Sequence, residues 1–289
     1  ADKTKPTYSN WGPTEGGRHT PEIVARGTGI NSATAAGDAA YSGSGADSSG
    51  TSYATPAAAA GALLLQQFYR ERYADGYMRS ETLRALMLGT AEDLGRPGPD
   101  HQFGWGLLDL HKAASVIKQR TSPKRNDSCG ITYSPSELRG AIMDEVLINL
   151  TNNDVMTCER LVYARGGTPL VVNIAWNDEA GPEQTAADPV DPTTSRLVYN
   201  FDIEVNERST GKTYRPWKIP DMAHRTEDAT LSTTPFDDMG QNFKQVIIAN
   251  PVADTAYEVI LRKHKTPPAA TKNLSLVITG TSISNAPAE

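Results

Sequence analysis

The pattern of apolar and polar positions along the chain changes near residue 120. Before this point, stretches rich in Gly, Ala and Ser are mixed with segments that repeat apolar residues at helical spacing. After it, short alternating apolar runs are separated by turn residues, which is typical of β-strands. The change predicts two domains, residues 1–122 and residues 123–289.

Three stretches of the first part have the spacing of helices. Residues 57–70 are apolar nearly all round, which predicts a helix buried inside the protein rather than one on its surface. Pro56 is expected in the first turn of that helix, where proline is tolerated. Further helices are predicted over residues 80–88 and 107–118.

The second part predicts a series of short strands with no helix between the later ones. Their expected positions are residues 147–150, 159–164, 170–176, 197–205, 245–249, 257–262 and 274–279. The turn signal Ser209-Thr210-Gly211-Lys212 joins neighbouring strands and favours antiparallel pairing. We therefore expect an all-β antiparallel, jelly-roll-like sandwich in this part.

Composition narrows the class of protein. Of the 289 residues, 38% are hydrophobic and 21% charged, which excludes a disordered tail and a coiled coil. The formal charge of −6 gives neither a nucleic-acid footprint nor a polybasic membrane patch. The most apolar run, residues 54–68, contains Pro56 and Gly61 and falls short of the roughly 18 apolar residues that a membrane span needs. We expect a loop-rich globular protein that binds neither nucleic acid nor membrane.

The ends and cysteines of the chain give two further expectations. It begins Ala1-Asp2-Lys3, without an initiator Met or an apolar signal region, so we expect a processed chain, an excised piece or a fragment. Its two cysteines, Cys129 and Cys158, allow at most one internal disulfide. A single bridge and two free buried thiols both fit this count.

The strongest local signal for chemistry lies directly before the alanine-rich helix. A serine at a helix N-terminus is close to unpaired backbone N–H groups and to the positive end of the helix dipole, which favour an oxyanion. Ser52 occupies such a position in the sequence. The competing structural interpretation is that Ser52 merely caps the helix, because serine and threonine are preferred N-cap residues.

Three blocks of sequence decide between these interpretations. Together, in order and spacing, they resemble subtilisin-like serine proteases over roughly residues 5–118, the C-terminal part of a subtilase catalytic domain. The blocks are Gly50-Thr51-Ser52-Tyr53-Ala54-Thr55-Pro56 with Ala60-Gly61; Tyr8-Ser9-Asn10-Trp11-Gly12-Pro13 with Gly17-Arg18 and Pro21-Glu22-Ile23-Val24-Ala25-Arg26-Gly27; and Phe103-Gly104-Trp105-Gly106-Leu107-Leu108-Asp109 with Ala113-Ala114.

The resemblance implies a partial α/β domain, part of a parallel sheet, and a secreted serine endopeptidase. It implies Ser52 as the acylating nucleophile, Thr51 as a neighbour of the oxyanion site, and the Ser52 backbone N–H as one oxyanion donor. In this family the Asp, the His and the oxyanion Asn precede the serine block, and here they are absent. We therefore expect an upstream segment to supply them as a partner, with polypeptides as substrates and no cofactor required for the chemistry. The chain alone is expected to be inactive.

Local residues are poor substitutes for the missing base. Of the five histidines, only His19 precedes Ser52, and it is predicted to lie in an exposed polar loop. The pair Asp109 and His111 follows Ser52, but the Gly-x-Ser-x-Gly elbow of the α/β-hydrolases is missing. We interpret the pair as a helix-end Asp and a solvent-facing His.

The second part resembles the β-sandwich appended to some alkaline subtilases, which is related to the P-domain of proprotein convertases. The segments that carry this resemblance are 170–178, 197–205, 242–246 and 255–259. Some such domains hold calcium, and Asp178, Asn200 and Asp202 are candidate oxygen ligands. The competing interpretation is that these side chains form turns. As a whole, the alternative to an enzyme is a non-catalytic pseudo-protease, or a β-sandwich that binds or stabilises a partner.

Overall fold

The computed structural model describes residues 3–14, 17–42, 48–74, 76–121, 123, 130–149, 157–181, 183, 197–221, 223–236, 241–263 and 271–283. Residues 3–121, here called the amino-terminal segment, contain the helices α1 (Thr51–Arg72), α2 (Ser80–Thr90) and α3 (Leu110–Lys118). The three helix predictions are confirmed in position. Among the described residues, no helix combines the length and apolarity that a bilayer span requires.

Residues 130–283, here called the two-sheet unit, are built from strands. The strands are β1 (Ile131–Thr132), β2 (Arg139–Asn149), β3 (Thr157–Tyr163), β4 (Leu170–Ala175), β5 (Phe201–Glu207), β6 (Thr213–Tyr214), β7 (Trp217–Lys218), β8 (Thr230–Leu231), β9 (Phe243–Ile248), β10 (Ala256–Lys263) and β11 (Thr271–Ile283). Each predicted strand is found, but β5 begins only at Phe201. The preceding N–H groups of Val198 and Tyr199 donate to the carboxylate of Asp178 instead of to a strand.

Two main sheets surround one core. A five-stranded sheet has the order β1-β3-β10-β5-β6, and a four-stranded sheet has the order β2-β11-β4-β9. All neighbouring strands in them are antiparallel except β1 and β3. Alternate residues of both sheets, such as Val172 and Ile174 of β4 and Ile203 and Val205 of β5, meet in the same buried cluster. The antiparallel all-β prediction is therefore confirmed in this coarser form, and the jelly-roll-like topology stays a prediction.

The turn predicted at residues 209–212 joins β5 to β6. Val205 is opposite Tyr214 and Asn206 is opposite Thr213 in antiparallel register. The Gly211 N–H donates to the Glu207 carbonyl, and Gly211 takes φ +72°, a conformation that glycine adopts without strain. The predicted hairpin is confirmed.

The outer face of the four-stranded sheet is covered by the amino-terminal segment. A second buried cluster joins Ala85 and Leu88 of α2 to residues of β2, β4, β9 and β11, among them Met143, Phe243 and Val277. Both parts of the chain thus contribute to this second cluster. The predicted boundary at 122/123 falls where residues 122 and 124–129 lie outside the described residues, and it stays a prediction.

Helix α1 is the outermost layer, and only one of its faces is covered. Gly61 packs so closely on α3 that an added Cβ would lie 2.8 Å from Leu110 Cδ2. On the other side, Leu63 and Leu64 are 72% and 59% exposed. The prediction of a helix buried all round is wrong for this chain, because α2 and α3 pack on one side of α1 only.

The described part of the amino-terminal segment contains isolated β-bridges and no sheet of its own. The bridge between Val24 and Leu107 is parallel, and the bridge between Glu92 and Leu107 is antiparallel. The parallel sheet implied by the subtilase resemblance therefore stays a prediction. In the two-sheet unit, Cys158 is disulfide-bonded, while Cys129 lies outside the described residues.

Candidate active site

Ser52 is the second residue of α1, and its side chain is exposed. The N-cap of α1 is Gly50, which offers no side-chain cap, and no acidic residue lies in the first turn. The interpretation of Ser52 as an N-cap residue is therefore not confirmed. Among the described residues, no side-chain cap bond is made at the N-cap, so Ser52 lies in a first turn close to the positive end of the helix dipole. This is a suitable place for a developing negative charge.

Pro56 lies inside α1 rather than in its first turn, because the helix begins five residues earlier than Pro56. Proline has no N–H and cannot bond to the carbonyl four residues before it, which here belongs to Ser52. One turn at the start of α1 therefore lacks a regular helical hydrogen bond, at the candidate nucleophile itself.

Gly27 allows its segment of the chain to approach the start of α1 closely. The Gly50 N–H donates to the Gly27 carbonyl at 2.8 Å. A Cβ at Gly27 would lie 2.6 Å from the Gly50 carbonyl oxygen and 3.0 Å from the Ala54 Cβ. A side chain at position 27 would therefore displace the turn that carries Ser52.

The strand-like segment after Gly27 is bonded to the loop before α1. The Gly29 N–H donates to Ser49 Oγ at 2.9 Å, and the Ile30 N–H donates to the Ser48 carbonyl at 3.0 Å. The Tyr8 hydroxyl lies 2.6 Å from Thr28 Oγ1 on the same segment. Residues 28–30 are thus bonded both to the loop that precedes α1 and to Tyr8.

A pocket of about 270 Å³ opens beside Thr51, the residue next to Ser52. It is lined by Tyr8, Ser9, Asn10, Trp11, Thr20, Pro21 and Thr51. None of these side chains is charged. The block of sequence around Tyr8 and the block around Ser52, which are separated along the chain, thus meet at one surface.

His19 is buried, with no exposed surface, so the prediction of an exposed loop position is wrong. Its Nε2 lies 3.0 Å from the Asp100 carbonyl, and its ring packs edge-on against His101 and Trp105. Packing with the loop around Asp100 withdraws His19 from solvent. Ser52 forms no side-chain hydrogen bond with any of the four histidines that the structure describes; His264 lies outside them.

The Asp109 and His111 pair has the structural role expected of it. The Asp109 carboxylate accepts the Lys112 N–H at 2.9 Å and caps α3, while His111 is exposed. His224 is exposed and is hydrogen-bonded to Asp221, which raises the pKa of its imidazole. These histidines are engaged away from Ser52.

Glu22 connects the segment before the pocket to α2. Arg84 and Arg18 both donate to its carboxylate, at 2.9 Å and 2.8 Å. Burial acts to raise the pKa of Glu22, but the two guanidinium groups outweigh burial and hold that pKa below its ordinary value. A second Arg84 nitrogen donates to the Asn242 carbonyl of the two-sheet unit. The Glu22 and Arg84 pair therefore ties the site's surroundings to both regions.

Of the three candidate calcium ligands, Asp178 and Asp202 accept backbone hydrogen bonds, whereas the buried Oδ1 of Asn200 has no hydrogen-bond partner among the described residues. Asp178 accepts two backbone N–H groups, and Asp202 accepts the N–H groups of Ile203 and Phe236. Within the described ranges, no group of three or more His, Cys, Asp or Glu is placed to hold a metal ion. Asp178 thus holds the segment before β5, Asp202 lies within β5, and calcium binding stays a prediction.

The candidate site thus combines an exposed serine in the first turn of α1 with a close backbone contact between Gly27 and Gly50. The model described as "Subtilase family" matches residues 1–106. Over this range the chain is similar to the subtilase family, in agreement with the motifs of residues 5–118.

Curated relatives match a shorter stretch. The "Neisserial autotransporter lipoprotein NalP" of Neisseria meningitidis serogroup B is 44% identical over 64 residues, which are 22% of this chain and 5% of that protein. "Serotype-specific antigen 1" of Mannheimia haemolytica is 39% identical over 66 residues, 23% and 6% of the two chains. "Extracellular serine protease" of Serratia marcescens is 39% identical over 70 residues, 24% and 6%. The match spans only a small part of each relative.

Among solved structures, one titled "CorA is a surface-associated copper-binding protein important in Methylomicrobium album BG8 copper acquisition" covers 55% of this chain and 98% of its own. Its identity is 7% and its TM-score 0.27, a likeness too low to bear on fold or function.

Proposed function

We propose that this chain is part of a secreted subtilisin-like serine endopeptidase, with Ser52 as the acylating nucleophile. The observation that carries the proposal is the exposed position of Ser52 at the uncapped N-terminus of α1, inside the range that matches the subtilase family. An exposed hydroxyl in the first turn of a helix, close to the positive end of the helix dipole, suits the oxyanion that forms in acyl transfer.

The reaction follows from these groups. Ser52 Oγ attacks the carbonyl carbon of a peptide bond, and a base takes the hydroxyl proton. The Ser52 N–H donates to the oxyanion, with Thr51 adjacent to it. The base returns the proton to the leaving amine as the C–N bond breaks, and water then hydrolyses the acyl-enzyme. The base, its orienting Asp and the oxyanion Asn come from an upstream segment, and no cofactor takes part.

The outer face of α1 supports the need for such a segment. Leu63 and Leu64 are largely exposed. The part of the helix between its first turn and these two residues is almost all alanine. Exposed leucines beside small side chains form an apolar face that is unfavourable in water and that fits a closely packed partner. The upstream segment that completes the site would cover this face.

The two-sheet unit would then be the P-domain-like sandwich of the enzyme. It shares a buried cluster with α2, so it would stabilise the catalytic part through a packed interface. The names of the relatives, an autotransporter, an antigen and an extracellular protease, support a secreted or extracellular location.

Active-site labelling tests the proposal. The chain is co-produced with the upstream segment of the same protein and treated with a fluorophosphonate probe. We expect labelling at Ser52, its loss in Ser52→Ala, and unchanged labelling in Ser136→Ala, which removes an exposed serine hydroxyl far from α1 along the chain. Absence of labelling with the upstream segment present would overturn the proposal.

The alternative is a non-catalytic role, as a pseudo-protease or as a sandwich that binds or stabilises a partner. One observation favours it: within the described residues, the histidines are bonded to other groups or exposed on α3, away from Ser52. Under this alternative the probe does not react, and the upstream segment still binds. Labelling of Ser52 excludes it.

A further inference from the structure

Residues 216–221 and 223–232 of the two-sheet unit belong to an arm that lies against loop 92–104 of the amino-terminal segment. Within the arm, β7 pairs with β8, and the Ser232 N–H donates to the Pro216 carbonyl. The Trp217 ring covers Gly98, where an added Cβ would lie 3.1 Å from ring carbons. Packing therefore attaches the arm to the loop.

A histidine of the loop bonds directly to the arm. His101 Nε2 lies 2.7 Å from the Pro220 carbonyl oxygen. A carbonyl can only accept, so Nε2 carries the proton, and in the neutral imidazole Nδ1 is then the bare nitrogen. Nδ1 is buried and has no hydrogen-bond partner among the described residues. Protonation would thus create a buried N–H without an acceptor.

The neighbours of His101 include a second imidazole, His19, and the carboxylate of Asp100. The His19 ring centroid is 5.2 Å away, in an edge-on arrangement. The Asp100 carboxylate, on the same loop, already accepts the N–H groups of Arg96, Gln102 and Phe103.

Charged groups of the arm act on His101 in opposite directions. Burial lowers the pKa of His101 most; the Pro220 bond, Asp100 and Asp221 raise it, and Arg225 lowers it, with a net pKa below 6.5. If release of the arm exposes the imidazole to water, it removes the burial that lowers the pKa of His101, and the released form then binds a proton more readily than the attached form. Attachment weakens as pH falls through 6.5 toward the lowered pKa.

We propose that His101 is a pH-sensitive latch between the two regions: as the neutral imidazole it holds the arm through Pro220, and as the imidazolium it releases the arm. The exposed His224 and Asp221 pair has the opposite sign. Its contribution is present below the ordinary His pKa and lost as pH rises through the raised pKa of His224. Because His224 is on the surface, water and salt screen this contribution.

The latch is connected to the pocket beside Ser52. The Gly12 N–H donates to the His101 carbonyl at 3.0 Å, and Gly12 follows Trp11, a pocket residue. His19, which packs on His101, directly precedes Thr20 and Pro21 in the pocket wall. Resting on the proposed function, we infer that acid pH loosens this wall and lowers the activity of the complete enzyme.

Hydrogen exchange on the full chain tests the latch without any need for activity. Exchange is measured at about pH 8 and about pH 5, on either side of the ordinary His pKa, and corrected for intrinsic rates. We expect amides of the arm, including Ser232, to lose protection severalfold at the acid pH, because protonation of His101 favours the released form. Amides of β4 should keep their protection.

Matched variants identify the titrating group. His101→Gln retains an N–H donor in place of Nε2 but cannot be protonated, so the arm should stay protected at both pH values. His224→Gln removes the exposed imidazole and should leave the acid response of the wild type unchanged. An acid response that persists in His101→Gln overturns the proposal. If that response is lost in His19→Gln instead, His19 is the group that titrates.

A titration of the wild type covers the case in which His101→Gln does not fold. The His101 imidazole is followed by NMR together with the amide signals of the arm. A His101 midpoint below 6.5 that coincides with the arm transition supports the latch. A His101 that titrates without any change in the arm overturns it. Failure of fluorophosphonate labelling would leave both results unaffected, so the two proposals fail separately.

Discussion

The two-sheet unit and the amino-terminal segment place their apolar side chains differently. Five of the six residues of β4 are buried, because the four-stranded sheet has the five-stranded sheet on one side and α2 on the other. Helix α1, with 22 residues, buries only Gly61, Leu65 and Tyr69. Both sequences are strongly apolar, so the difference comes from their neighbours.

The apolar composition of a helix or strand therefore indicates that it has apolar surface to bury. It does not indicate whether the same chain supplies the neighbours that bury it. Strand β4 is buried by the other strands of the two-sheet unit and by α2. Helix α1 finds covering for one face only. Part of the apolar surface of the amino-terminal segment is therefore exposed in this chain, whereas β4 is covered by the second sheet on one side and by α2 on the other.

The largest effect is expected from emptying that core. Trp176 is fully buried, its ring meets Phe201 at 5.2 Å, and its Nε1–H donates to the Tyr199 carbonyl. Trp176→Ala should lower the free energy of unfolding by about 3–5 kcal/mol in urea titrations. Trp11→Ala, at a half-exposed tryptophan of the other region, should change it by about 0.5 kcal/mol or less. Equal losses would remove the contrast between the regions.

The next effect concerns the ionic joint between the regions. Glu22→Gln removes the charge that pairs with Arg84 and Arg18 and should cost about 1.5–3 kcal/mol at neutral pH. Since the folded pKa of Glu22 is lowered, its contribution is present above the unfolded value near 4.5 and is lost as pH falls through the folded pKa.

The difference in unfolding free energy between wild type and Glu22→Gln, measured over this pH range, isolates Glu22 from other carboxylates. It should shrink toward zero in acid. A difference that stays constant with pH would mean that the pair contributes through packing alone.

A smaller effect is expected where α2 touches β4. A Cβ at Gly89 would lie 2.4 Å from Asn173 Nδ2, and Asn173 is held by bonds to Val277 and Gln245. Overpacking of about 1–3 kcal/mol should outweigh the helix propensity of about 1 kcal/mol gained by Gly89→Ala. Thermal unfolding should show a net loss, while Gly37→Ala, which meets nothing within 4 Å, should show none. If Gly89→Ala is more stable than wild type, the contact between α2 and β4 has room for a methyl group.

The sequence predicts the regular strands well because their alternation is local. It misses most of β2, where Gly140 and the charged Asp144 and Glu145 interrupt the apolar pattern; Asp144 is buried with Arg160, a partner on another strand. The two-residue strands β1, β6, β7 and β8 are too short to carry a period.

At the candidate site, the local motif predicts where Ser52 lies, at the start of a helix. The burial of His19 and its contact with His101 could not be predicted, because a polar loop gives no periodic signal and the two residues are far apart along the chain. The exposure of α1 could not be predicted either, since it depends on which neighbours are present.

The smallest effect on stability is expected on the exposed face of α1. Leu63→Ser together with Leu64→Ser should change the unfolding free energy of the chain by only about 0.5 kcal/mol per site, because neither side chain is packed. In the presence of the upstream segment the same double variant should bind that segment more weakly, measured by co-purification, and label less with the probe. Gln67→Ala, also exposed on α1, serves as the control and should behave as wild type. If the double variant binds the segment as tightly as wild type, α1 does not carry the contact, and its exposed leucines need another explanation than a missing neighbour.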